Sequence, residues 1–260
     1  MKGIIFAGCS FTWGQGLYYY SDMKNVIPQT DENFQQRNLT NAHINYKNTL
    51  RFPRLVANHF KTFEIVKKQN GGSDKDSIDF VNRIFNEDNT DGRYYMEEIE
   101  YIIFQTSQIT RNGYEFIYNN TKYNINQSHS NKPFINWLLE QNLTYDQWFT
   151  NFCKESFEMI KNFFIFYEEK GIKCRILCWQ NDLLSHIKND EYMFNRFITL
   201  ENYDTINDLV INNKHMLISK DYLNFENPIN DRHPSKLCHQ IIAQNIIKYI
   251  ENEFTTIHTI

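Results

Sequence analysis

Ser10 follows an apolar run, Gly3-Ile4-Ile5-Phe6-Ala7-Gly8, and stands where that run must turn sharply. A serine hydroxyl is a weak nucleophile unless a base takes its proton and that base is itself held in one tautomer. His233 has the chemistry of such a base. Pro234 biases its backbone toward an extended conformation, and Ser235 is placed to cap the helix behind it. Asp231 lies two residues upstream, and in an extended segment residues i and i+2 project to the same side. Its carboxylate can therefore accept the imidazole Nδ1–H. Asn230 is the alternative partner, able to orient the ring but not to supply charge. An attacked ester carbonyl also needs donors for its developing negative charge. The Ser10 N–H is one, and the Gly72 N–H, just ahead of a capped helix, is a second. A side chain after the third strand, Ser107 or Gln105, would be a third. Acyl transfer from an ester by this set calls for no metal and no organic cofactor.

These residues must be carried by elements that meet. Gly3 to Gly8 has the length and apolarity of a buried parallel strand. Phe52-Pro53 opens a helix to about Phe60, with proline in the first turn where its missing N–H costs nothing. Phe63 to Val66 is a short strand, and Gly71-Gly72-Ser73 a turn. Ser73 and Asp76 have capping-box spacing ahead of a helix striped by Ile78, Val81, Ile84 and Phe85. Tyr101 to Phe104 reads as the third strand. Phe152, Ile160, Phe163, Phe164 and Tyr167 mark a long amphipathic helix ending near Gly171. Ile172 to Trp179 is the fourth strand and His215 to Ser219 a fifth. A last helix, started by Pro234-Ser235, repeats apolar residues from Leu237 to Ile250. Alternation of this kind predicts an α/β fold, one doubly wound parallel sheet with right-handed crossovers. Two polar, aromatic stretches, about 17–50 and 112–150, read as insertions in a single domain over 1–260, the first as a long loop or insertion. In such a sheet ligands bind beyond the carboxyl ends of the strands, where Ser10, Gly72 and Ser107 fall.

Gly8-Cys9-Ser10-Phe11, Gly72, and Asp231 to His233 resemble the sequence blocks of the SGNH hydrolases, the GDSL-type esterases and lipases. The resemblance spans residues 1–16, 62–108 and 172–250. The Gly-Cys-Ser-Phe-Thr start with Asp-x-His-Pro-Ser near the end is similar to branches of that family met in phage and bacterial genomes. It implies a three-layer α/β/α, flavodoxin-like fold with five parallel strands. It implies a serine esterase in which Ser10 attacks, His233 serves as base and then acid, and Asp231 orients and charges the ring. The Ser10 and Gly72 amides hold the oxyanion, with Ser107 as third donor, and an O-acetyl ester on a carbohydrate is the implied substrate. The chain departs from the family at Cys9, which replaces an aspartate, and at Phe11, which replaces a leucine. The family's Gly-x-Asn-Asp block is missing, and Ser107, a shorter donor, falls where its asparagine would stand. Asn181-Asp182 carries the right letters but follows the fourth strand, which makes it pocket wall.

The chain has 260 residues, is 41% hydrophobic and 22% charged, and carries a net charge of −4, which excludes a disordered chain and gives no global pull toward polyanions. No basic run is interleaved with aromatics, so nucleic acid is not an expected partner. Five cysteines without regular spacing read as free thiols of a reducing compartment. Cys174 and Cys178 lack the further ligands a metal would need. Phe6-Ala7-Gly8-Cys9 mimics a lipoprotein cleavage box, but the apolar stretch before it is too short for a signal. With no stretch long enough to span a membrane, the expectation is a cytoplasmic protein, virion-associated if phage-encoded. The aromatic content of 16% fits packed insertions or a stacking surface. Two other functions compete. One is a binding or structural module, such as a virion or envelope component, that keeps the fold with a weakened oxyanion hole. The other is a lysophospholipase- or thioesterase-like acyl hydrolase.

Overall fold

The structure, a computed structural model, describes residues 1–21, 41–67, 72–86, 94–125, 132–225 and 231–257. Among them the strands are β1 (Gly3–Ala7), β2 (Glu64–Val66), β3 (Ile99–Gln105), β4 (Tyr114–Tyr118), β5 (Thr121–Ile125) and β6 (Lys173–Leu177). The helices are α1 (Ser10–Trp13), α2 (Asn41–Leu50), α3 (Phe52–His59), α4 (Asp74–Ile84), α5 (Lys132–Glu140), α6 (Tyr145–Glu168), α7 (Leu184–Asn189), α8 (Glu191–Phe194), α9 (Ile206–Asn212) and α10 (Lys236–Ile257). β1, β2, β3 and β6 form one parallel sheet in the order β2-β1-β3-β6. Counted over the parallel strands alone, this is the doubly wound, flavodoxin-like order.

Side chains alternate across a strand, and β1 shows why every one of its residues is apolar or glycine. Ile5 and Ala7 join a core with Val81 of α4 and Phe157, Ile160 and Phe164 of α6. Ile4 and Phe6 join the opposite core with Phe52 and Val56 of α3 and Ile242, Ile246 and Ile250 of α10. Helices therefore cover both faces of the sheet, in three layers. Each fully buried Phe or Ile contributes about 1.5–3 kcal/mol by leaving water. The Ser73–Asp76 capping box forms in both directions and starts α4. A second one, Thr144 with Gln147, starts α6.

Three expectations are corrected. His215 to Ser219 is not a strand of the sheet. Its backbone instead pairs with the segment carrying His233, through Ile218 N–H to the His233 carbonyl at 3.0 Å and Ser219 N–H to the Asp231 carbonyl at 2.8 Å. The edge of β6 is covered by residues 196–198, with isolated parallel bridges Ile176 to Phe197 and Cys178 to Thr205, so the sheet has four strands rather than five. The first stretch, read as a long loop or insertion, contains α2, whose buried residues His43 and Lys47 are polar and leave no apolar stripe in the sequence. The second contains the β4–β5 hairpin, α5 and the first two turns of α6. Asn119 and Asn120 turn that hairpin with φ of 50° and 57°, the left-handed pair that a two-residue hairpin turn requires.

Candidate functional site

Ser10 opens α1 one turn beyond β1 and is 5% exposed. The turn needs glycine at position 8, because a Cβ there would lie 2.2 Å from the Thr12 Oγ1. Thr12 donates to the Gln105 Oε1 at 2.6 Å, and the Gln105 amide donates to the Cys9 Sγ at 3.2 Å and the Thr106 carbonyl at 3.1 Å. Gln105 thus locks the end of β3 to the serine turn and has both of its N–H groups committed there. Of the two side chains considered as a donor after β3, Ser107 is the less committed, its hydroxyl donating only a long 3.4 Å bond to the Gln108 carbonyl.

Asp231 and His233 arrive on the segment ahead of α10. The pairing with residues 216–219 fixes its backbone, and the Ser235 Oγ accepts from the Cys238 N–H at 3.3 Å to start the helix. The Asp231 Oδ1 accepts from the His233 backbone N–H at 2.8 Å and from the imidazole Nδ1–H at 2.6 Å. That contact leaves the lone pair on Nε2, which faces the Ser10 Oγ at 3.2 Å across 223 positions of sequence. Asn230 lies outside the described residues. Gly16, at φ +83°, makes room for the carboxylate, since a Cβ there would sit 2.8 Å from the Asp231 Oδ2. Phe11 flanks the imidazole at 5.3 Å between ring centroids and stacks on Trp179 at 3.9 Å, giving the site an aromatic wall.

Gly72 follows β2 and Ser107 follows β3, the two neighbours of β1, so both sit at the same carboxyl edge as Ser10. Gly72 is buried and the Lys67 Nζ fills the space beside its Cα, 2.2 Å from where a Cβ would be. The Ser107 N–H donates to the Asp74 Oδ1 at 2.6 Å, and its hydroxyl lies 3.4 Å from the Gln108 carbonyl. Asn112 completes the link, accepting from the Asp74 N–H at 2.8 Å and donating to the Asp74 Oδ2 at 3.3 Å and the Ser156 Oγ at 3.2 Å. Burial pushes the Asp74 carboxyl up to about 6, against the pull of the Ser107 N–H, Asn112 and Lys67.

Asp74, Asn112 and the pairing of residues 216–219 with the histidine segment were not anticipated. An aspartate in the first turn of a helix reads as an ordinary partner of the helix dipole, and nothing local marks it as a cross-loop ligand. Asp182 accepts from the Ile109 N–H at 3.4 Å, which ties the turn after β6 to the one after β3. Burial raises its carboxyl. All five cysteines are buried free thiols, and burial raises Cys9, adjacent to Ser10, above the ordinary thiol range. Among the described residues no group of His, Cys, Asp or Glu is placed to hold a metal ion, and no helix is long and apolar enough to cross a membrane.

No family model matches the chain, and no curated protein matches it. Among solved structures it is similar to a carbohydrate esterase whose active site is described as displaying divergent catalytic and non-catalytic binding functions, at 13% identity and a TM-score of 0.43. That alignment covers 96% of this chain and 65% of the other.

Proposed function

We propose that the protein is a serine ester hydrolase of the SGNH type. The observation that carries this reading is the continuous hydrogen-bonded chain from the Ser10 hydroxyl through the His233 ring to the Asp231 carboxylate, at 3.2 and 2.6 Å. In the first half-reaction the Ser10 Oγ attacks the ester carbonyl carbon while His233 Nε2 takes the hydroxyl proton. The imidazolium so formed is stabilised by Asp231 and returns the proton to the departing alcohol oxygen. Water then attacks the acyl-serine by the same route, with His233 again as base, releasing the acid and restoring Ser10. The Ser10 and Gly72 N–H groups, with the Ser107 hydroxyl, receive the negative charge that develops on the carbonyl oxygen. The substrate class we propose is a small acyl ester, foremost an O-acetyl group on a carbohydrate, for which Trp179 and Phe11 supply an aromatic face beside the nucleophile.

The test is turnover of nitrophenyl esters of increasing acyl length by the purified protein and by Ser10→Ala. Hydrolysis of the acetyl ester that Ser10→Ala loses, with little on long acyl chains, supports the reading. Preference for long chains points to a lysophospholipase- or thioesterase-like enzyme instead. No turnover of any ester leaves a binding module. Turnover undiminished in Ser10→Ala removes Ser10 from the mechanism.

A further inference from the structure

Two loops must hold still relative to each other if donors from both are to meet one oxyanion, and a single buried side chain joins them here. We propose that Asp74 is a positioning residue: its carboxylate clamps the start of α4, two residues past Gly72, to the loop after β3 and so sets the spacing of the Gly72 and Ser107 donors around Ser10. The inference rests on the ester-hydrolase reading of Ser10. Asp74 is fully buried and lies two residues beyond Gly72. Its Oδ1 takes the Ser107 N–H at 2.6 Å, while Oδ2 takes the Asn112 amide at 3.3 Å. Both oxygens are used, one for each end of the turn between β3 and β4. A carboxylate is the side chain that accepts on both oxygens at once, and an N–H donated to an ionised oxygen is about twice as strong as a neutral one.

The clamp also explains how a chain without the family's asparagine could keep a third donor. A serine reaches less far than an asparagine, so its backbone must be brought to a fixed place, and the hydrogen bond to the Ser107 N–H does this directly. It carries a dependence on protonation as well. Adding a proton to Oδ2 converts an acceptor into a donor facing the Asn112 amide, which breaks that side of the clamp. The charged and titratable groups facing Asp74 are Lys67 after β2, Cys9 ahead of α1 and Cys178 after β6. Arg111 acts on Cys9 from the turn after β3, and Asp76, two residues along the same helix, acts on Lys67. Burial raises both thiols, Cys178 to about 12, so Lys67 is the charge that opposes protonation of Asp74.

The experiment compares wild type, Asp74→Asn and Ser10→Ala on an acetyl nitrophenyl ester, with the rates of the first two divided by the fraction of sites titrated with a fluorophosphonate and that of Ser10→Ala given per total protein. In Asp74→Asn kcat per titrated site falls about tenfold or more while KM stays within about twofold, the pattern of lost transition-state stabilisation. Both proteins keep the limb that a His233 base gives to kcat against pH, and the wild type alone loses further kcat as pH falls through about 6 and Asp74 gains a proton, so the ratio of wild-type to Asp74→Asn kcat shrinks there. Asn112→Ala, which loosens the clamp from its other side, changes kcat in the same direction and serves if Asp74→Asn does not fold. Wild-type kcat per site and an unchanged profile in both variants would make Asp74 structural only and overturn the proposal. If Ser10→Ala keeps its turnover, the hydrolase reading fails first, and the clamp fails with it.

Discussion

At the scale of single residues, the proposed proton path from Ser10 through His233 to Asp231 is held by a few specific contacts. Asp231 does two things, accepting from the His233 ring and from the backbone of the same residue. Asp231→Asn keeps the shape but removes the charge and permits the wrong tautomer, so kcat should fall on the order of 10⁴-fold in steady-state kinetics. An effect under about tenfold would show that the carboxylate does not serve the ring. Gly16 supports that carboxylate from outside the chemistry. Gly16→Ala forces its Cβ toward the Asp231 Oδ2 and also strains a left-handed backbone. A displacement of about 1 Å is enough to cost about 10²-fold in kcat, with KM little changed. The sequence showed Ser10, His233 and Asp231 as a set because their types and turns are local signals. Gly16 and Asp74 carry no such signal, since what makes them matter is a neighbour far away in the chain.

At the scale of elements, caps and buried polar groups decide which helices hold the site in place. Thr144→Ala removes the capping box of α6 and should lower stability by about 1 kcal/mol in denaturant titration, with activity per folded molecule unchanged. His239 on α10 is fully buried and its Nδ1 accepts the Phe52 N–H at 3.3 Å, which ties α10 to the start of α3. Burial, with His233 and Arg51 nearby, holds its imidazole down at about 3, below the ordinary value of 6.5. A folded-state value below the unfolded one means that the stabilisation is fully present above pH 6.5 and is lost as pH falls toward 3. Replacing His239 with Phe should therefore remove up to about 1.4 kcal/mol per pH unit of that acid dependence. The opposing slope of Asp74, whose raised carboxyl loses stability as pH rises from 3.8 toward 6, is common to both proteins and cancels in the difference. Equal slopes in the two proteins would contradict this account. The same elements show where sequence reading stops. The stripe of α4 and the continuous apolar run of β1 are legible because each buries an apolar face. α2 buries His43 and Lys47 and so offers no periodicity to detect. The segment 215–219 has the apolar look of a strand, but its backbone partners are the residues around His233, a choice made only once the chain is folded.

At the scale of the whole molecule, one parallel sheet brings the first and last parts of the chain to the same rim. Its order places Ser10 just after β1, with Gly72 following β2 and Ser107 following β3 on either side, and the segment ahead of α10 delivers His233 across 223 positions of sequence. The cores on the two faces hold Cys153, Cys174, Cys178 and Cys238, and Cys9 is buried at the serine turn, so a disulfide reagent should modify none of the five in the native protein and all five after unfolding. Rapid modification of a native thiol would show that a core is looser than the structure has it. The layering follows from the alternation of apolar runs, whereas the order β2-β1-β3-β6 is set by pairings distant in the chain. The central claim is that this architecture makes the Ser10 hydroxyl unusually nucleophilic through His233, and an active-site label tests it most directly. Mass spectrometry of peptides from fluorophosphonate-treated protein should find one adduct, on Ser10, at a rate that collapses in His233→Ala. An adduct on another residue, or labelling of Ser10 at full rate without His233, would contradict the account.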